Sequence, residues 1–152
     1  MNDECQSLKI NRCTVLVLGA SGMLGSAVLR FFANSTNFKV VGSVRSTNAL
    51  RLLPDDLSER VVFGVDVENI DSLISLFAKT RPDVVVNCIG LIKQVTEAED
   101  PLIAIPINGL LPHRLARICG MVGARLVHMS TDCIFSGDRG NYTEADISDA
   151  KD

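Results

Sequence analysis

TVLVLGASGMLG, residues 14–25, joins a continuous apolar run to three glycines and then to a helical pattern. Thr14 to Leu18 shows no alternation of apolar and polar side chains. The strand it predicts is therefore buried on both faces, as in a parallel sheet with helices above and below. Gly19, Gly22 and Gly25 follow at GxxGxxG spacing. Leu24, Ala27, Val28, Phe31 and Phe32 then recur at helical intervals, which predicts a helix with one apolar stripe.

The same unit repeats outward from this stretch. Phe38 to Val44 reads as a second strand, and VVFGV, within residues 60–67, as a third. Ile70, Leu73, Ile74 and Phe77 mark a helix that Arg81-Pro82-Asp83 stops. Asp83 to Cys88 is a fourth buried strand, followed by the polar connection LIKQVTEAED at 91–100. Pro101 to Gly120 is helical in pattern, but Pro106 and Pro112 must start, break or kink it. Arg125 to Met129 is a fifth strand, and Ser130 to Asp152 is turn-rich. Alternating strands and helices with short links predict an α/β fold: a doubly wound parallel sheet (Rossmann fold) in the order 3-2-1-4-5. Its ligand crevice lies beyond the carboxyl ends of strands 1 and 4, where the order reverses.

Composition narrows the class. The 152 residues predict one domain, residues 13–152, behind a polar lead-in at 1–12. With 47% hydrophobic and 22% charged residues the chain is neither disordered nor coiled-coil. A formal net charge of −3 leaves no basic excess for a nucleic acid partner. No apolar run approaches the roughly 20 residues of a membrane helix, and MNDECQSLKINRC lacks a signal-peptide core, so a cytoplasmic protein is expected. The five cysteines form no CxxC, which predicts reduced, mostly buried thiols and no metal site.

The glycine loop carries the chemistry. One glycine permits the tight strand-to-helix turn, one lets the backbone approach a pyrophosphate, and one lets the helix pack close to the sheet. The amides that open the helix, with the positive end of its dipole, suit phosphates. Gly19, Ser21, Gly22, Met23, Leu24 and Gly25 are thus candidate cofactor-binding residues. The loop is not GxxxxGK[ST], which disfavours a P-loop triphosphatase. NAD binders place an acidic residue about 20 positions on. Here Arg45 stands 20 residues past Gly25, with Ser46 and Asn48 beside it, which predicts NADP over NAD. Asp66, next to Val67, either accepts from the adenine amino group or caps the following helix.

VLVLGASGMLG (15–25), DVVVNCIG (83–90), INGLLPHRLARIC (107–119), HMSTDCIFSG (128–137) and YTEAD (142–146) together resemble the extended short-chain dehydrogenase/reductases. More narrowly, they resemble the dTDP-4-dehydrorhamnose reductase and sugar-nucleotide-binding group. The resemblance implies an NADP-dependent oxidoreductase of polysaccharide biosynthesis that reduces a keto group on a nucleotide-linked sugar. It also implies that Asn87, Cys88, Ile89 and Gly90 run beside the adenosine half of the cofactor. Thr131 would hydrogen-bond the substrate carbonyl, with Ser130 a weaker neighbour, and Asn108 would shape the site. Lys93 would meet substrate or phosphate, unless it is simply solvated. Cys133 stands where the group often has tyrosine, and a buried structural thiol is expected of it. His113 and His128 are expected to be packed or capping. The group's proton comes from a Tyr-x-x-x-Lys pair. Tyr142 is followed four residues on by Asp146, so it does not form that pair, and DISDAKD (146–152) resembles the run leading into it. The 152 residues are accordingly expected to be the cofactor-binding portion, holding NADP weakly and turning over little. A non-catalytic regulatory subunit, a related epimerase or dehydratase, and a homodimer stay open as readings.

Overall fold

A computed structural model describes residues 12–92, 99–131 and 133–150. Five strands form one all-parallel sheet: β1 (Cys13–Leu18), β2 (Phe38–Ser43), β3 (Val61–Val62), β4 (Val84–Asn87) and β5 (Arg125–His128). Their order is β3-β2-β1-β4-β5, as the strand–helix repetition predicts. The central strand β1 has both faces buried because its side chains alternate between two apolar layers. Leu16 and Leu18 enter one, Val15 and Val17 the other. Helix α1 (Met23–Ala33) and the short α2 (Asp55–Ser58) cover the valine side through Leu29 and Leu57. Helices α3 (Ile70–Thr80) and α5 (Leu111–Val122) cover the leucine side through Leu73, Leu76, Phe77, Leu111, Leu115 and Ile118.

Three local expectations are corrected. The stripe of α1 is rotated: Val28 and Phe32 pack against the core as expected, but Leu24, Ala27 and Phe31 are exposed, and Gly25, Ser26 and Leu29 are buried. In α3, Ile70 and Ile74 face outward while Leu76 joins Leu73 and Phe77 inside. The third strand is cut to two residues, because Phe63 is exposed and Gly64 turns the chain at φ +76°. A 3-10 turn over Thr47–Leu52, unread in the sequence, leads from β2 toward α2.

The two prolines do not break the long helical segment. Helix α4 (Pro101–Ala104) runs into a π-helical turn, Ile105–Leu110, and then into α5. Neither Pro106 nor Pro112 can donate a backbone hydrogen bond. The wider turn between them absorbs the mismatch, and the Leu111 N–H reaches back five residues to the Pro106 carbonyl. Asn108 sits in this turn, which sets where its side chain points.

Candidate functional site

The loop between β1 and α1 is built on close backbone contact. Gly19 adopts φ +77°, and a Cβ there would lie 2.8 Å from Ile89 Cγ1 at the end of β4. Gly25 approaches still closer: a Cβ would stand 2.1 Å from the Gly19 carbonyl oxygen. The turn is closed by the Gly22 N–H donating to Gly19 O at 3.0 Å and tied to β2 by the Ala20 N–H donating to Ser43 O at 3.0 Å. Gly22 is the N-cap of α1 and has no side chain to bond the first amides, and the first turn carries no acidic residue. An anion is the natural partner for such a helix end.

Beside this loop lies a cavity of about 440 Å³. Gly19, Ser21, Arg45, Asp66, Val67 and Ile89 line it, six of the fourteen residues expected at the cofactor; Gly22, Gly25, Asn87, Cys88 and Gly90 are not in its lining. Ser46 is exposed and begins the 3-10 turn, next to the cavity rather than in its lining. Met23 and Leu24 open α1 with exposed side chains and are not in the cavity's lining. The alternative for Asp66 as a helix cap goes instead to Asn69, whose Oδ1 accepts from the N–H groups of Asp71 and Ser72. Asp66 Oδ1 accepts from Glu68 N–H within its own turn. Ser43 and Val44, at the carboxyl end of β2, also line the cavity and were not among the expected residues. The signal in the sequence is a small polar residue, Ser43, near the end of the apolar run Phe38 to Val44.

A second cavity, about 600 Å³, shares Ile89 and Leu91 with the first and extends to β5. Gly90, Asn108, Ser130 and Thr131 line it, joined by His128 and Cys133. Asn108 spends its amide on the chain after β4: Oδ1 accepts from Leu91 N–H and Nδ2 donates to Leu91 O, both at 2.9 Å. It therefore holds the wall between the two cavities. Thr131 Oγ1 accepts from Cys133 N–H at 3.1 Å, which leaves its own hydrogen to donate. Asn87 is fully buried, so it acts on the site only through neighbours. Cys88 is half-buried, and burial pushes its thiol and that of Cys119 up, away from nucleophilic character. Two expectations fail. Cys133 is exposed rather than buried, and His113 and His128, expected to be packed or capping, are exposed, one edge of the His128 ring meeting the Asn87 side chain. Lys93 lies outside the described residues.

The segment after Thr131 is tied to itself. Phe135 and Tyr142 stack with ring centroids 4.5 Å apart, and the Arg139 guanidinium lies over the tyrosine ring. The Tyr142 hydroxyl accepts from Arg139 N–H and pairs with Ser136 Oγ. Arg139 also pairs with Asp146. The Ser136 N–H bonding Asp149, and the Thr143 N–H followed by Arg139 bonding Asp146, hold both carboxyls below their usual range. A lowered carboxyl stabilises the folded loop above its unfolded pKa and loses that support as pH falls through the folded value. Tyr142 is the sole tyrosine and there is no tryptophan, so intrinsic fluorescence reports this loop. The signal should stay flat above about pH 5 and change only below the ordinary carboxyl value near 4. In Asp149→Asn the step should shrink.

No helix among the described residues is long and apolar enough to cross a membrane. Among the described residues no cluster of three or more His, Cys, Asp or Glu is placed to hold a metal ion.

Comparison with known proteins adds to this geometry. A family model described as RmlD substrate binding domain matches residues 13–151. A protein of Haloferax volcanii named probable low-salt glycan biosynthesis reductase Agl14 is 30% identical over 131 residues, 86% of this chain and 41% of that protein. Methionine adenosyltransferase 2 subunit beta of Rattus norvegicus is 33% identical over 133 residues, 88% of this chain and 36% of that protein. A solved dTDP-4-dehydrorhamnose reductase from Bacillus anthracis, in complex with NADP, aligns with a TM-score of 0.62 at 26% identity, covering 84% of this chain and 39% of that one. The chain thus spans less than half the length of these relatives.

Proposed function

The chain belongs to the RmlD substrate binding domain family, and from that premise we propose that it forms the cofactor-binding portion of an NADP-dependent reductase of keto groups on nucleotide-linked sugars. The observation that carries this reading is the side-chain-free cradle at Gly19, Gly22 and Gly25, opening into a crevice lined by Arg45 in one half and Thr131 in the other.

A dinucleotide fits the residues present. The diphosphate belongs on the amides of Met23 to Gly25 that open α1, beside Ser21, because the Gly22 N–H is already given to Gly19 O and no acidic side chain of the first turn repels an anion. Arg45, with Ser46 beside it, suits a 2′-phosphate, and Asp66 and Val67 face the adenine end. Cys88, Ile89 and Gly90 run along the middle, with Asn87 bracing them from below. When bound, NADPH supplies the hydride for carbonyl reduction. The protein's part is orientation: Thr131 Oγ–H donates to the carbonyl oxygen, Ser130 lies beside it, and Asn108 keeps the cavity wall in place. Tyr142 is not the proton donor in this reading, because its hydroxyl is engaged by Ser136 and Arg139. Lacking a positioned general acid, the 152 residues alone should turn over about 10²–10⁴-fold below a complete enzyme.

Titration with NADP⁺ and NAD⁺ tests the cofactor assignment. Arg–phosphate pairs are charge-assisted and can be bidentate, so NADP⁺ should bind about tenfold or more tighter. Arg45→Asp should abolish or reverse that preference. Tighter NAD⁺ binding by the unaltered chain would overturn it.

A second reading has one observation in its favour, the 33% identity to a subunit of methionine adenosyltransferase 2. A cofactor-binding subunit of another enzyme would retain NADP⁺ affinity without reductase activity in any longer form of the protein.

A further inference from the structure

His128 is left unused by the reading above, yet it sits in the second cavity with Ser130 and Thr131. Its protonation follows from hydrogen-bond logic. Asn87 at the end of β4 is 0% exposed, and its side chain lies between two partners. The Ile89 N–H meets Asn87 Oδ1 at 3.1 Å, and Asn87 Nδ2 meets His128 Nδ1 at 3.1 Å. A backbone N–H can only donate, so the atom facing Ile89 must be the amide oxygen. The amide nitrogen, also a donor only, then faces the imidazole. His128 Nδ1 must therefore carry a lone pair, and the ring proton sits on Nε2, at the opposite edge.

The donor so created lacks an acidic partner in the cavity, because no carboxylate lines it among the described residues. Asn108 is committed to Leu91, and Thr131 Oγ1 already accepts from Cys133. The volume is that of a small-molecule site, and His128, Ser130 and Thr131 give it polar groups beside apolar Ile89, Leu91 and Met129.

We infer that His128 is a substrate-binding residue, held by Asn87 as the neutral Nε2–H tautomer and donating to an oxygen of the sugar portion of a nucleotide-sugar. This rests on the nucleotide-sugar reading above and adds to it a residue and a proton. Its role is to turn the sugar so that the reacting carbonyl meets Thr131.

The test uses the chain labelled with ¹⁵N-histidine in the presence of NADP⁺. There are two histidines, so His113→Gln assigns the spectrum. Nε2 should be protonated and Nδ1 not, and the Nε2–H resonance should shift when dTDP-glucose is added. His128→Asn keeps an oxygen to accept from Asn87 and withdraws the donor at the Nε2 position, because the shorter amide places its nitrogen near where ring Cδ2 stood. It should bind dTDP-glucose about tenfold more weakly while NADP⁺ affinity stays within about twofold. A proton on Nδ1, an Nε2–H resonance indifferent to dTDP-glucose, or equal dTDP-glucose affinity in the variant would each overturn the inference. Failure of the unaltered chain to bind NADP⁺ would strike the cofactor reading instead, and the first titration reads that separately.

Discussion

Gly25→Ala is expected to lower the melting temperature and abolish measurable NADP⁺ binding. The added Cβ would stand 2.1 Å from Gly19 O and 2.8 Å from the Gly19 carbonyl carbon, and both are backbone atoms of the turn itself. No side chain can rotate out of the way, so either α1 lifts from the sheet or the loop reshapes. Overpacking in a tight interior costs about 1–3 kcal/mol, and a backbone collision belongs at or above the top of that range. For a domain of this size that corresponds to roughly 6–12 °C. Gly120→Ala supplies the opposite case in the same protein. Gly120 lies within α5, and a Cβ added there would meet nothing within 4 Å. Helix propensity alone should then raise stability by about 0.5–1 kcal/mol. Thermal melts of the two variants, with cofactor titrations, check the pair. A Gly25→Ala protein that melts with the parent and still holds NADP⁺ would remove the close-packed loop as the basis of the cofactor site.

That contact was half legible in the sequence. The spacing of Gly19, Gly22 and Gly25 announced a turn with no room for side chains, because strand and helix flanked it. The consequence for α1 was harder to see. The expected stripe joined Leu24, Ala27 and Phe31 to Val28 and Phe32, whereas the buried face keeps only the last two and adds Gly25, Ser26 and Leu29. Periodicity cannot choose between two stripes about 100° apart on a helix this rich in apolar residues. The smallest residues decide: Gly25 and Ser26 face inward because the helix must press on the turn, and Phe31 is left 72% exposed against Phe32. The same ambiguity misplaced Ile70 and Ile74 in α3. The strand order was readable because parallel strands buried on both faces leave long apolar runs. The two-residue β3 was not, because its end depends on the turn at Gly64. Cross-strand pairs lie furthest from sequence view. Asn87 and His128 are 41 residues apart, and only the register of β4 with β5 makes them neighbours. The Asn69 cap, by contrast, was within reach: an asparagine directly before an apolar-periodic run with an acidic residue in its first turn is an N-terminus signal.

Leu115→Ala is the second large effect expected, and its meaning depends on a companion on the same helix. Leu115 is fully buried on the leucine side of the sheet, packed with Leu111, Ile118 and Cys119 from its own helix and with Leu73 and Phe77 from α3. Removing it deletes buried methyl groups and leaves a cavity between two layers that are both anchored to the sheet, so collapse is restricted. Such changes cost about 2–5 kcal/mol, here roughly 4–20 °C in melting temperature. Met121 stands six residues later, is 87% exposed, and borders an apolar groove between α3 and α5 with Ile70, Ile74 and Val122. By composition it is as hydrophobic a position as any in α5, but a side chain already in water has little transfer energy to lose. Met121→Ala should move the melt by less than about 0.5 kcal/mol. The helix also carries the π-turn that aims Asn108 at Leu91, so Leu115→Ala should loosen the wall between the two cavities as well as the core. Hydrogen exchange at the Leu91 amide measures that directly: faster exchange in Leu115→Ala, unchanged exchange in Met121→Ala. If both variants melted alike, the buried face assigned to α5 would be wrong, and with it the support that α5 gives the π-turn and Asn108.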